Sequence, residues 1–224
     1  MFRTIFLILS SNVTGSLILM ARNLLIAGLL SLEDYGITST FVLAMAIIEM
    51  LSEIGLQQQM VQAGKGNDTR FQAALHGFKL IRGAMNGAIL FLIAPLVAQF
   101  FRQPELTWAY QVTALVPVIM AFGHSDVTRL RRQMRFWPNF VVNTVPKLVS
   151  TLAVWPLFLI LPDYRLMIAI LILQSLVFTL CTFLVAERRY QLAFDRAFMT
   201  DSLRFGWPLL LNGLLMFAVF NGER

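Results

Sequence analysis

Glu49 and Glu53 stand one helical turn apart in "AIIEMLSEIGLQQQ", and Gln57 extends their row at the same spacing. Their neighbours are Ile, Met, Leu and Ala, so both carboxylates fall in a run that otherwise reads as buried in hydrocarbon. Carboxylates so placed can take up a proton or hold a sodium ion, which makes them candidates for ion coupling. Arg22 and Lys147 are cations well inside two other apolar runs, and Asn12, Asn86 and Asn143 are amides in comparable positions. These five are candidate substrate-binding residues lining a cavity. No nucleophile–base pair is apparent beside them, so the expectation is transport or binding and not an enzyme. His76 and His124 lie far apart in the sequence without ligand spacing, and Cys181 is the single cysteine, inside an apolar run. Neither a metal, a disulfide nor a cofactor is expected.

A charge at the centre of a membrane helix costs about 2.5–3.5 kcal/mol, while each Leu, Ile, Phe or Val returns about 0.3–0.6. Two glutamates, at roughly 5–7 kcal/mol together, would cancel most of what their helix gains. They must therefore meet water or cations inside a bundle. Counting about 1.5 Å per residue from Gly36, Glu49 lies about 20 Å down and Glu53 about 26 Å, in a core about 30 Å thick. Glu53 thus belongs either to the cavity or to the inner interface. Lys147, about 15 Å from the inner end, is the most central charge. Arg22, about 12 Å from the outer end, either faces the cavity or snorkels outward. If the first two helices form a hairpin, Arg22 and Glu49 are offset by about 7–8 Å, which permits a direct pair or two depths of one cavity.

These residues belong to polar stripes. Ser11, Asn12, Gly15, Ser16, Arg22 and Asn23 gather on one side of the first helix. Arg82 and Asn86 are one turn apart in the third. Asn139, Asn143, Lys147 and Thr151 repeat every four residues in the fifth, where Pro146 and Pro156 interrupt the backbone and Pro146 offers a hinge. Several helices with one polar stripe each suit a bundle around a hydrated cavity, whereas a structural bundle would use Gly and Ala stripes.

The chain that must carry them has 224 residues, 58% hydrophobic and 13% charged. Soluble domains are closer to a quarter charged. Its apolar residues form blocks at about 5–30, 36–60, 80–101, 106–125, 137–161, 166–186 and 205–222. The expected fold is an all-α polytopic transmembrane helical bundle. Residues 1–187 would form an N-terminal lobe of six helices, 188–204 a cytoplasmic linker, and 205–224 the first helix of a second lobe. A fragment of a longer transporter is expected, with pairing to another subunit as the other possibility.

The N-terminal block lacks a small-residue cleavage pattern and reads as a helix that stays. The connections "SLEDYG", "RQPE" and "PDYR" are tight, while "QAGKGNDTRFQAALHGFK", "DVTRLRRQMRF" and "ERRYQLAFDRAFMTDSLR" are basic. The basic set faces the cytoplasm by the positive-inside rule, which places the N-terminus there too. A net charge of +6 is accounted for by these orienting arginines, and no nucleic-acid partner is expected. Leu192, Phe194, Phe198 and Leu203 would lie along the membrane surface, so the lipid bilayer is itself a partner.

"LLSLEDYGITSTFVLAMAIIEMLSEIGLQQQMVQ" resembles the first-to-second helix segment of bacterial polysaccharide flippases, the Wzx-type and teichuronic-acid-exporter-like branch of the multidrug/oligosaccharidyl-lipid/polysaccharide exporter superfamily. The matching positions are Leu29, Leu30, Glu33, Asp34, Tyr35 and Gly36, then Glu53, Gly55 and Leu56. Gly28 stands where that family often has a basic residue. "APLVAQFFRQPEL", "RLRRQMRF", "LRFGWPLLLNGLL" and "NGER" resemble later segments in the same order.

The resemblance implies a two-lobed flippase of the bacterial inner membrane that moves undecaprenyl-pyrophosphate-linked oligosaccharides by alternating access. Proton or sodium would be the coupling ion, at Glu49 and Glu53. Arg22 and Lys147 would attract pyrophosphate or acidic sugars. Polysaccharide polymerase or export proteins would be its partners. A drug or cation antiporter of the same superfamily, or a non-transporting membrane subunit, are the alternative readings.

Overall fold

The structure is a computed structural model that describes residues 2–52, 68–196, 198–202, 204 and 206–208, with side chains from Val13 to Met50 and from Asp68 onward. Among them the regular elements are α1 (Phe2–Leu29), α2 (Leu32–Ser52), α3 (Thr69–Phe100), a 3₁₀ turn (Pro104–Leu106), α4 (Thr107–Thr113), α5 (Leu115–Ala121), α6 (Asp126–Arg132), α7 (Trp137–Leu152), α8 (Val154–Phe158) and α9 (Arg165–Leu184). No strand occurs among the described residues, and the all-α expectation holds. The helices α3 and α9 are each long and apolar enough to cross a membrane. The stretch Pro104–Ala121 qualifies together with α6, at a bend of 52°. Glu53, Gln57 and nearly all of the seventh apolar block lie outside the described residues.

Proline decides where two of the apolar blocks break. A proline inside a helix removes one hydrogen bond and its ring crowds the carbonyl four residues earlier. Pro117 acts on Thr113, where α4 ends, and Pro156 acts on Leu152, where α7 ends. The 106–125 and 137–161 blocks are therefore each two helices rather than one. Pro146, in contrast, stays inside the continuous α7.

The corner between α1 and α2 is built by a serine cap. The Ser31 hydroxyl accepts from the Asp34 N–H at 3.1 Å and donates to the Asp34 carboxylate at 2.7 Å. The other Asp34 oxygen accepts from the Tyr164 N–H at 3.3 Å, tying the corner to the start of α9. Leu29, Leu30 and Tyr35 pack there with Ile26, Leu166 and Ile170. The central core is a second cluster, in which Phe41 meets Tyr110 edge to face at 4.9 Å and Thr40 shares a hydrogen bond with the Tyr110 hydroxyl.

Two glycines four residues apart, Gly83 and Gly87, let α3 lie directly on α5. A Cβ on Gly83 would sit 2.2 Å from the Ala121 Cβ and 2.8 Å from the Pro117 carbonyl oxygen. One on Gly87 would sit 2.8 Å from the Ala114 carbonyl oxygen. Small residues at this spacing permit the closest approach of two membrane helices.

The helix α3 begins well before its apolar block, at Thr69, because residues 187–194 cross its first turns as an extended strap. The Ala193 N–H donates to the Ala73 carbonyl at 3.0 Å, and Gly77 leaves no room beneath the Ala193 carbonyl for any side chain. Phe198 turns inward onto Phe71 instead of lying along a membrane surface, their ring centroids 4.9 Å apart. Leu192 and Phe194 are exposed.

His76 and His124, distant in sequence, sit with ring centroids 4.9 Å apart beneath the strap. His76 Nε2 accepts from the Ser125 N–H, so its Nδ1 carries the hydrogen and donates to the Gln191 carbonyl at 2.9 Å. His124 Nδ1 accepts from the Asp126 N–H, so its Nε2 donates to the Arg188 carbonyl at 3.0 Å. Both rings are therefore neutral fasteners.

Asp126, fully buried, binds the remaining donors. It accepts from Arg129, from Gln72 at 3.1 Å, and from the Glu187 and Arg188 backbone N–H groups at 2.8 and 3.3 Å. Glu187 in turn accepts from Arg135 and Arg129, which hold its carboxyl below the usual range. Its contribution is complete at neutral pH and is lost only as the pH falls below about 4 toward the lowered folded value.

Gly83→Val should lower folded yield and thermal stability in detergent by the about 1–3 kcal/mol of an overpacked contact, or more, because backbone must move. Asp126→Asn should cost about 3–5 kcal/mol, the loss typical of breaking a buried ion pair, and speed hydrogen exchange at residues 187–193. In the unmodified chain those amides should stay protected at neutral pH and begin to open below about pH 4.

Candidate functional site

The Asn139–Asn143–Lys147–Thr151 stripe survives as one face of α7, because α7 remains helical through Pro146. Asn143 and Lys147 line a cavity of about 320 Å³ between α2, α5, α7 and α9. Glu49 enters it from α2, with Gln174, Ser175 and Phe178 from α9. Three of the sequence-derived candidates thus converge on one space. Asn139 and Asn143 line a second cavity of about 490 Å³ nearer the strap, and the two cavities share Val142, Asn143 and Phe178 as their common wall.

Lys147 reaches across to α1. Its ammonium nitrogen lies 2.8 Å from where a Cβ on Gly15 would be, so the glycine is the notch that receives the charge. The Lys147 carbonyl accepts from Ser150 at 2.9 Å and from Thr151 at 2.7 Å. Arg22, buried on the same side of α1, donates to Ser150 at 3.2 Å and to the Gln174 side-chain oxygen. Its partners are on α7 and α9, since α1 packs along α7 and meets α2 only near their shared corner. Arg22 is not among the residues that line the cavity, and it holds Gln174, which does line it. Arg22 and Lys147 form no ion pair with a carboxylate among the described residues.

The polar side expected of α1 is divided. Gly15 and Arg22 face α7, while Ser16 and Asn23 are exposed and line a shallow groove with Tyr35. Asn86 is buried on α3 beside Gly83 and Gly87 and is absent from the lining of both cavities. The Asn12 side chain and Glu53 lie outside what the structure describes. Gln174 and Ser175 were missed from the sequence, although adjacent polar residues in the middle of "RLMIAILILQSLVFTLCTFL" are a usable signal, since an unshared amide there is costly.

Fold and cavity together define a class: an all-α membrane protein whose bundle keeps charged and amide side chains in its interior. A family model of polysaccharide biosynthesis proteins matches residues 25–224. The chain belongs to that polysaccharide biosynthesis protein family. No curated protein and no solved structure matches it.

Gly15→Ala provides a test of the Lys147 notch. The atom that must yield is the tip of a flexible side chain, so folded yield and thermal midpoint should be unchanged. The reactivity of Lys147 toward an amine-directed reagent should rise as its ammonium leaves the notch, measured by peptide mapping after labelling.

Proposed function

We propose that this chain forms part of a flippase that carries undecaprenyl-pyrophosphate-linked oligosaccharides across the bacterial inner membrane for surface polysaccharide assembly. The observation that carries this reading is the cavity where Lys147, Asn143, Gln174 and Glu49 meet, in a member of a polysaccharide biosynthesis family. A lysine with amides beside it has the chemistry to hold a diphosphate and the hydroxyls of a sugar. Membership of that family favours a glycan-bearing cargo over a lipophilic cation.

In this reading the basic end of the bundle faces the cytoplasm, with the N-terminus on the same side. The cavity opens alternately to the two sides as a second lobe closes against it. Glu49 carries the coupling proton or sodium ion, with Glu53 further along the same helix. The protein performs no covalent chemistry. Polymerase or export proteins take the cargo on the far side.

Lys147→Ala and Glu49→Gln, introduced into the full-length protein, should each lower export of surface polysaccharide about tenfold or more. That is the size expected when a charge-assisted hydrogen bond worth about 1.5–3 kcal/mol is lost. Membrane insertion should be unaffected. Normal export from both variants would overturn the assignment, and accumulation of lipophilic-cation sensitivity in its place would point to the antiporter reading.

A further inference from the structure

The larger cavity, about 490 Å³, has no role in the reading above. It lies at the basic end of the bundle, between the first turns of α3, the turn into α6, the start of α7 and the end of α9. Its volume is within the range of small-molecule sites, about 300–1,000 Å³. Lys79 and Arg131 both line it, and among the described residues no carboxylate does. Two acids of this end of the bundle are committed elsewhere, Asp126 to Arg129 and the strap, and Glu187 to Arg129 and Arg135.

Lys79 gives one hydrogen to the Gly123 carbonyl at 2.7 Å, which leaves two donors of its ammonium. Ser125 adds a hydroxyl that is 95% buried, its residue being 5% exposed, and that has no hydrogen-bond partner. A buried hydroxyl left without a partner is costly, and Ser125 is one of the residues around this cationic space. Asn139 and Asn143 add amides. Phe136 and Phe178 give the cavity an apolar part.

We propose that this cavity is a phosphate-recognition site for the headgroup of a phosphorylated membrane amphiphile, held by Lys79, Arg131 and Ser125 with its apolar part against Phe136 and Phe178. Two sources share that chemistry: a bilayer phospholipid, or a polyprenyl phosphate that carries cargo. The site is distinct from the cavity of Lys147 and Glu49 and shares with it only Val142, Asn143 and Phe178. It rests on the reading above for its orientation alone, since binding can be measured without transport.

The full chain, reconstituted in phosphatidylcholine nanodiscs, can be titrated in parallel with phosphatidylglycerol, polyprenyl phosphate and the uncharged polyprenyl alcohol, with bound lipid counted by native mass spectrometry. At least one phosphate-bearing lipid should bind and the alcohol should not. Preference for phosphatidylglycerol assigns a phospholipid site, and preference for polyprenyl phosphate assigns a capture site for the cargo carrier. Arg131→Gln should weaken binding about tenfold or more, as loss of a charge-assisted phosphate contact does, and Ser125→Ala should weaken it several-fold.

Lys79→Gln should do the same, with Arg131→Gln as the safer variant because Lys79 also holds the Gly123 carbonyl. Equal binding of the alcohol and the phosphate, absence of binding by either phosphate lipid, or full affinity in Arg131→Gln and Ser125→Ala would each overturn the proposal. Failure of export with binding preserved would count against the flippase reading alone.

Discussion

Asp126 is fully buried, and a carboxylate in that position is tolerable only while several donors converge on it. The donors come from three separate parts of the chain: Gln72 on α3, Arg129 on α6, and two backbone N–H groups of the strap. Satisfying one charge therefore fixes how α6 turns away from α5, where the chain goes after α9, and which face of α3 is covered. The two histidines extend the same arrangement, each accepting from a backbone N–H where α6 begins and donating to the strap. Basic residues concentrate at this end, so the network also decides which of them are neutralised and which face the adjoining cavity.

Away from that end the bundle is held by close packing, and one group of polar side chains meets in the space between α2, α5, α7 and α9. Gly83 and Gly87 bring α3 onto α5, and Phe41 and Tyr110 fill the centre. The charges that remain inside are arranged in two ranks. Lys147, Asn143 and Glu49 meet the cavity directly. Arg22 and Ser150 stand behind it and fix the orientation of Gln174 and of the α7 backbone around Lys147. A helix carrying a lysine near its middle is stable here because the ammonium reaches polar space on one side and a side-chain-free notch on the other.

The stripe on α7 was legible because the direction of a side chain on a helix is a local property, set by the residue spacing. So was the all-α class, from the length and apolar character of the blocks. Arg22 was found but its partners were not: chain order suggests α2 as its neighbour, whereas α1 lies along α7, and such neighbour relations arise from whole faces packing together. The breaks at Thr113 and Leu152 follow from Pro117 and Pro156 once the four-residue reach of the proline ring is applied. Pro146 shows that the same residue type is tolerated where the surrounding helix is held on several sides. Gln174 was overlooked because the helix around it is so apolar that an average hides two polar residues. The strap was illegible for a different reason: its backbone is bound by side chains far away in sequence, which no local pattern announces.

Gly15 and Lys147 have one further implication. The ammonium occupies the place on α1 where every other residue type would put a side chain. A slide of α1 along α7 by one turn, about 5.4 Å, would bring Leu19 beneath it and push the charge away. The depth of the lysine and the register of the two helices are thus one coordinate, and whatever shifts the first helix also moves the charge.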